Sequence, residues 1–365
     1  ADNDTMDGGT GDDTMDGGRR NDTCTQHTIA GVMTEDSVAG GGVDLVRLGG
    51  TGIYFMTANV ENLVIIGTGI TSVVGNALNN LIDGSGGSGS GVSLDGSFGV
   101  DTLIGGTGGD TFSVNDANDM VWDSLGGTDT LNVNGTTSFN MASNAWGVEN
   151  VVHSAIGAVT LAGNELANTI TFGGSVTSAY VQAGGGADNI TGSAGADTLD
   201  GGGGNDTLAG GGGNDVFIGG ADDDTYTVDS AGDVVIELAG EGTDTLTVTA
   251  PSYALAAEAE VENVTLSGAG INFSGSAFAN TVAGTAGDDT IAGLGGIDAL
   301  NGGAGNDIFL FKETGAENRD SITGFTDTFD KIGLGLLEFL PLGASVDAGE
   351  VFSAATIVAW TPGAY

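Results

Sequence analysis

Residues 201–218 read Gly-Gly-Gly-Gly-Asn-Asp-Thr-Leu-Ala and then Gly-Gly-Gly-Gly-Asn-Asp-Val-Phe-Ile, one nonapeptide written twice. The register extends both ways. Upstream, 183–191 and 192–200 keep Gly186, Asp188, Ile190 and Gly195, Asp197, Leu199. Downstream, 219–227 keeps Asp224 and Tyr226 but carries Asp222 where glycine is expected. A second run covers 284–310, with Asp289, Asp298 and Asp307 each followed two residues later by Ile291, Leu300 and Phe309. A third covers 96–113, with Asp101–Leu103 and Asp110–Phe112, and a fourth opens the chain with Asp4–Met6, Asp13–Met15 and Asp22–Cys24. The common pattern is Gly-Gly-x-Gly-x-Asp-x-U-x, where U is a large apolar residue.

Composition fits a chain built from such units. Glycine supplies 70 of 365 residues, against a usual share of about 7%. Acids outnumber bases 49 to 6, giving a net charge of −43, yet 39% of residues are apolar. Such an acid excess excludes binding to a phosphate backbone, which needs clustered Lys and Arg. Plain disorder does not suit so many apolar residues. A solvated acidic surface would tolerate the charge, but it predicts no spacing of the acids. Aspartates set among glycines and asparagines in turns suit neutralisation by a hard divalent cation, and Ca²⁺ takes 6–8 oxygen ligands in a flexible shell. One cysteine, Cys24, excludes an intrachain disulfide framework. No apolar run approaches the ~20 residues of a membrane span, and no basic-then-apolar segment opens the chain.

The nonapeptide resembles the RTX calcium-binding repeat of secreted bacterial proteins, and more than ten copies in one register make the match specific. Each position has a physical reason. Glycines let the first six residues turn tightly with inward carbonyls. The aspartate adds a carboxylate, and the last three residues form a short strand with U pointing inward. The resemblance implies an all-β fold, a parallel β-roll or β-helix solenoid with calcium-binding turns, two nonapeptides to a coil. It also implies several Ca²⁺ ions, on the order of ten, held between successive turns. The expected ligands are Asp4, Asp13, Asp22, Asp101, Asp110, Asp129, Asp188, Asp197, Asp206, Asp215, Asp224, Asp244, Asp289, Asp298, Asp307 and Asp320. Backbone oxygens are expected at Gly9, Gly11, Gly106, Gly108, Gly202, Gly204, Gly211, Gly213, Gly303 and Gly305. Arg20 replaces a glycine and would bring a positive charge to one of these turns, the weakest of the set.

A second kind of segment alternates with the repeats. Val60-Glu61-Asn62, Val148-Glu149-Asn150 and Val261-Glu262-Asn263 open it, and Asn80, Asn168 and Asn280 follow about twenty residues later. These segments are expected to be further coils without calcium, their asparagines stacked as a hydrogen-bonded ladder. A separate small β-subdomain is the alternative. A linking element recurs as 114–131 and 228–246, each ending on a glycine–aspartate turn at Asp129 and Asp244. The boundaries are therefore set at 1–95, 96–182, 183–283 and 284–365, four modules stacked end to end, with 84–91 (Gly-Ser-Gly-Gly-Ser-Gly-Ser-Gly) as the one flexible joint. Segments 320–325 and 329–334 resemble the closing part of serralysin-type RTX proteins, which leads into a type I secretion signal; residues 360–365 follow no known tail. Ala1 falls at the third place of a nonapeptide, so the chain is expected to be a piece of something longer.

Catalytic patterns are missing from the sequence. His27 and His153 stand apart with no HExxH, so a zinc protease site is not expected, and there is no Gly-x-Ser-x-Gly elbow. Gly84 to Gly89 satisfies Gly-x-Gly-x-x-Gly but lacks a surrounding strand–helix unit. Cys24 is expected as a small core hydrophobe, and Met6, Met15, Phe112, Phe217 and Phe309 as core fillers. The expectation is a non-enzymatic, secreted, calcium-dependent protein at or beyond a bacterial cell surface. It would self-associate into a surface layer, filament or adhesin. A non-catalytic RTX segment of a larger exoenzyme (a metalloprotease, lipase or epimerase) is the alternative, and a glycan-binding face is a weaker third.

Overall fold

The computed structural model describes residues 3–35, 42–87, 91–123, 126–312, 319–326 and 328–334. The expected secretion segment and the tail after 334 lie outside the described residues, as does part of the proposed joint, 88–90. The chain divides into two compact units, residues 1–189 and 190–365. Each is a parallel β-solenoid.

In the first unit, strands alternate between faces. One face stacks Thr5–Asp7, Thr23–Gln26, Leu45–Leu48, Asn62–Ile65, Leu81–Asp83, Thr102–Ile104, Met120–Trp122 and Ala145–Trp146 in chain order. The opposite face stacks Thr51–Phe55, Gly69–Val74, Ser93–Asp95, Thr111–Val114, Thr130–Val133, Asn150–His153 and Thr169–Phe172. Ser138–Asn140, Gly157–Ala162 and Val176–Gly185 make a further parallel set. The second unit stacks Thr207–Ala209, Thr225–Val228, Thr245–Val248, Asn263–Leu266, Thr281–Ala283, Ala299–Asn301 and Ser321–Thr323. Thr198–Gly203, Val216–Ala221 and Val234–Ile236 form a companion layer, as do Ser252–Ala254, Asn272–Ser274, Thr290–Ala292, Ile308–Phe311 and Lys331–Leu334.

Register follows from the sequence period. Thr207, Leu208 and Ala209 lie against Thr225, Tyr226 and Thr227, and Leu199 against Phe217, so two nonapeptides close one coil. A strand of three or four residues has room for only one or two inward side chains, and in the repeats U is one of them. Leu199, Leu208, Phe217, Tyr226, Leu246, Val264, Phe273, Val282, Ile291, Leu300 and Phe309 are all buried. Flanking threonines face outward, as period-2 alternation requires. One large buried side chain contributes about 1.5–3 kcal/mol. A rung offers few of them, while its glycines lose more backbone freedom on ordering than any other residue. The core alone is thin for so much ordered glycine.

The Val-Glu-Asn segments are coils of the same solenoids, not a separate subdomain. Asn62–Ile65 pairs with Leu45–Leu48 on one side and Leu81–Asp83 on the other. Asn263–Leu266 pairs likewise with Thr245–Val248 and Thr281–Ala283. The one helix among the described residues is a single turn, Met141–Asn144, capped by Asn140. No helix there is long and apolar enough to cross a membrane.

Candidate metal centres

The glycine turn is shaped around its own aspartate. A β-carbon added at Gly201 would run into the Asp206 carboxylate, and one at Gly210 into that of Asp215. Gly293 and Gly302 stand in the same relation to Asp298 and Asp307. The first glycine of a turn therefore supplies room. The second and fourth supply backbone geometry, as at Gly211 and Gly213 with φ of 83° and 137°. This geometry is imposed by the stack, since Ser97, Leu294, Arg20 and Asp222 occupy the same second or fourth places with φ of 65°, 68°, 90° and 78°. Arg20 is exposed, so its charge is not folded into the turn as expected.

A ladder of carboxylates joins the turns. Asp197 N–H donates to Asp215 Oδ1 at 2.9 Å, and Asp215 N–H to Asp233 Oδ1 at 3.0 Å. On the other row, Asp206 donates to Asp224 at 2.7 Å and Asp224 to Asp244 at 2.8 Å. The pattern recurs from Asp289 to Asp307 and on to Asp330, from Asp298 to Asp320, from Asp101 to Asp119, from Asp110 to Asp129, and from Asp4 through Asp22 to Asp44. Each carboxylate spends one oxygen on the rung before it and turns the other inward.

That second oxygen meets one of two environments. A turn with Thr in second place satisfies it locally: Thr285 N–H and hydroxyl both donate to Asp289 Oδ2, and Thr326 does the same for Asp330. At Asp22, Asp101, Asp215 and Asp224 the buried Oδ2 has no hydrogen-bond partner. Burial pushes the Asp101 and Asp224 carboxyls up to about 7, and those of Asp215 and Asp244 up to about 6, with neighbouring acids adding to the rise. A bare buried carboxylate oxygen is costly unless a cation or donor meets it. The chain has 6 lysines and arginines in all, so a metal ion is the counter-charge this donor set fits. Glycine carbonyls and aspartate carboxylates would hold it, and the bound charge would remove the repulsion between rungs.

Of the expected ligands, Asp22, Asp101, Asp110, Asp129, Asp188, Asp197, Asp206, Asp215, Asp224, Asp244, Asp289, Asp298 and Asp307 are buried in these rows. Asp4 is exposed, and Asp13 and Asp320 are half-buried. Gly108 adopts a positive φ of 103°, whereas Gly106 does not, its N–H instead donating to Asp110 Oδ2. Four ladder members were missed from sequence: Asp44, Asp119, Asp233 and Asp330. Glycines are replaced before Asp119, Asp233 and Asp330, whereas Gly40 and Gly42 keep their places before Asp44; the Asp-x-U spacing at Asp44–Val46, Asp119–Val121 and Asp233–Val235 carried the signal.

The asparagine ladder is corrected by the structure. Asn80, Asn168 and Asn280 do not stack on one another; each is a single rung within the aspartate row. Asn80 N–H donates to Asp101 Oδ1 at 2.7 Å, while its side-chain amide donates back to Val60 O at 3.1 Å. Asn168 and Asn280 repeat this with Asp188 and Val148, and with Asp298 and Val261. The preceding rung is the glutamate: Glu61, Glu149 and Glu262 accept from the N–H of Asp44, Asp129 and Asp244 at 2.9, 2.8 and 2.7 Å. Every Val-Glu-Asn segment thus inserts a Glu rung and an Asn rung between aspartates. An amide has donors to offer, so this rung closes itself without an ion.

Of the other reactive groups, His153 and Cys24 are buried and His27 lies at the surface. His153 is buried with neither ring nitrogen partnered, and burial pulls it down to about 4. His27 is exposed and lies 2.9 Å from Asp7 Oδ1. Cys24 is buried, and burial pushes its thiol up to about 11, which suits a core hydrophobe.

No curated protein matches the chain. The family model of the RTX calcium-binding nonapeptide repeat (4 copies) matches residues 1–24, 94–122, 178–208, 200–235 and 274–309, leaving out the Val-Glu-Asn triplets at 60–62, 148–150 and 261–263. With glycine turns that make room for an aspartate and rows of inward carboxylates in need of counter-charge, the chain is an RTX-repeat protein that binds several calcium ions.

Proposed function

We propose that this is a secreted structural protein, of the kind that builds a surface layer, filament or adhesin, and that it folds where calcium is plentiful. The observation that carries this reading is the continuity of the rungs: even the segments between repeat runs pair strand for strand with their neighbours. The chain invests its described length in stacked coils, and its histidines and cysteine serve packing and surface contacts. An edge favours self-association. Strand Thr51–Phe55 is the last of its sheet among the described residues, and its Ile53 and Phe55 are 53% and 66% exposed. A strand edge with apolar side chains is a template for a further copy.

Calcium sets the place of folding. Extracellular modules bind calcium at about 10⁻⁴–10⁻³ M, far above cytosolic levels. The chain would stay unfolded for type I export and order outside. Electron microscopy and sedimentation of the protein with EDTA and with millimolar calcium test this. Calcium-dependent lattices or fibres are expected. Single particles at every calcium level would point instead to a non-catalytic segment of an exoenzyme.

A further inference from the structure

Three acids stand where a repeat turn would have its first glycine. Glu35 ends strand Val32–Glu35, Asp123 follows Met120–Trp122, and Glu237 follows Val234–Ile236. The next ladder aspartate along the chain is, respectively, Asp44, Asp129 and Asp244. The preceding turn of the same row closes on Asp22, Asp110 and Asp224. Each acid therefore joins two ladder carboxylates, and in all three trios one oxygen per residue lies within 4.8 Å of the others.

The Glu237 trio shows what the arrangement lacks. Glu237 is 2% exposed and Asp224 1%. Glu237 Oε1 accepts the Tyr226 hydroxyl at 2.7 Å, but Oε2 has no partner, and neither has Asp224 Oδ2. Every charged neighbour acting on Asp224, Glu237 and Asp244 is another acid. At the first trio, Asp22 Oδ2 and both Glu35 oxygens are unpartnered in the same way. Three carboxylates in a dry place without a cation would be severely destabilising. The space is left for them deliberately by glycine one coil earlier: a β-carbon at Gly17 would strike Glu35, one at Gly105 would strike Asp123, and one at Gly219 would strike Tyr226 and Asp224.

The oxygens suit calcium. Ca²⁺ holds oxygens at about 2.3–2.6 Å, so its shell is about 4.6–5.2 Å across, wide enough to touch all three, and it accepts carboxylates in a flexible geometry. A glycine turn pair presents two carboxylates among neutral carbonyls. Here a third negative charge replaces the glycine, and affinity in calcium sites rises with the count of charged ligands.

We propose that Asp22–Glu35–Asp44, Asp110–Asp123–Asp129 and Asp224–Glu237–Asp244 are a second class of cation site, three-carboxylate centres that take calcium ahead of the glycine turns. They close repeat runs, so the first ions bound pin run ends before the turns fill. This goes beyond the structural role proposed above and does not depend on assembly.

Calcium titration calorimetry of the full chain and of E237Q, both checked for β-structure at saturating calcium, tests the assignment. The unmodified chain should show three tight equivalents, one per trio, each about tenfold or more tighter than the rest. E237Q should lose one of them, and the E35Q/D123N/E237Q variant all three, with the weaker equivalents kept. If Glu237 is merely a protonated hydrogen-bonding residue, Gln replaces it with stoichiometry and affinity unchanged, and that result overturns the proposal. Should E237Q fail to fold at saturating calcium, europium(III) titration of the unmodified chain decides. The position of its sharp excitation band follows the number of coordinated carboxylates. A separate band for the first equivalents supports the sites, and one band throughout the titration overturns them.

Discussion

The backbone N–H of Asp206 donates to Asp224 Oδ1 at 2.7 Å across a sequence separation of 18. One side chain thus sets the distance between rungs and, with its other oxygen, faces the ion. Replacing Asp224 by Ala removes both functions; Asn keeps an acceptor and loses the charge. A buried donor left bare costs about 1–3 kcal/mol. The calcium midpoint of folding, followed by circular dichroism, is expected to rise for D224N and further for D224A. Equal midpoints in all three proteins would contradict a role in either contact.

Acid should partly replace calcium. Burial raises Asp101 and Asp224 to about 7 and Asp215 and Asp244 to about 6 in the folded state. The unfolded chain releases the same protons near the usual carboxylate value of about 4. Folded pKa values above unfolded ones mean that this stability is full below about pH 4 and is lost as pH rises through 6 to 7. In EDTA, β-structure is expected to grow as pH falls from about 8 to 5. Calcium affinity should weaken over the same range, because protons and the ion compete for the same oxygens. A metal-free chain equally unfolded at both pH values would refute the sign.

His153 works in the opposite direction. Its imidazole is buried opposite Val133 and Phe172, and burial lowers it to about 4. A folded pKa below the unfolded value of about 6.5 gives stability that is present above that value and lost as pH falls toward 4. With calcium saturating, H153F is expected to lose less stability than the unmodified protein between about pH 7 and 5. The difference approaches 1.4 kcal/mol per pH unit once the unfolded imidazole is charged. Paired urea titrations at the two pH values measure it, and parallel losses would exclude His153 as the source.

Left-handed backbone gives a matched pair of substitutions. Ser97 sits at φ 65°, where only glycine is comfortable, and S97G is expected to stabilise by roughly 0.5–1 kcal/mol. Gly213, at φ 137°, also lies against the Gly195 backbone, 2.7 Å from where a β-carbon would sit. G213A is expected to destabilise by about 1–3 kcal/mol. Thermal unfolding in calcium should move in opposite directions for the two. Shifts of one sign would mean that the turn tolerates either backbone.

The period of nine made the coil readable in advance, because U must point inward in a strand of three and Asp must end a tight turn. Phe112, Phe217 and Phe309 are buried as that rule requires, and Met6, near the start, only half so. What the period hid was substitution within the ladder. Glu61 and Asn80 hold the place of Asp, but neither follows a glycine turn, so the motif did not mark them. Glu35, Asp123 and Glu237 were hidden for a related reason: an acid in a glycine's place looks like the end of a repeat, and its significance depends on which carboxylates the coil brings beside it.

In the described rungs of the aspartate rows the donor belongs to the earlier residue and the acceptor to the later one. The stack therefore has a direction. Removing its last rung strands an amide with no alternative partner, whereas removing its first merely frees a carboxylate to meet water or an ion. Ordering that starts at the carboxyl end supplies each newcomer with a waiting acceptor, so these solenoids should zip up one way, from back to front.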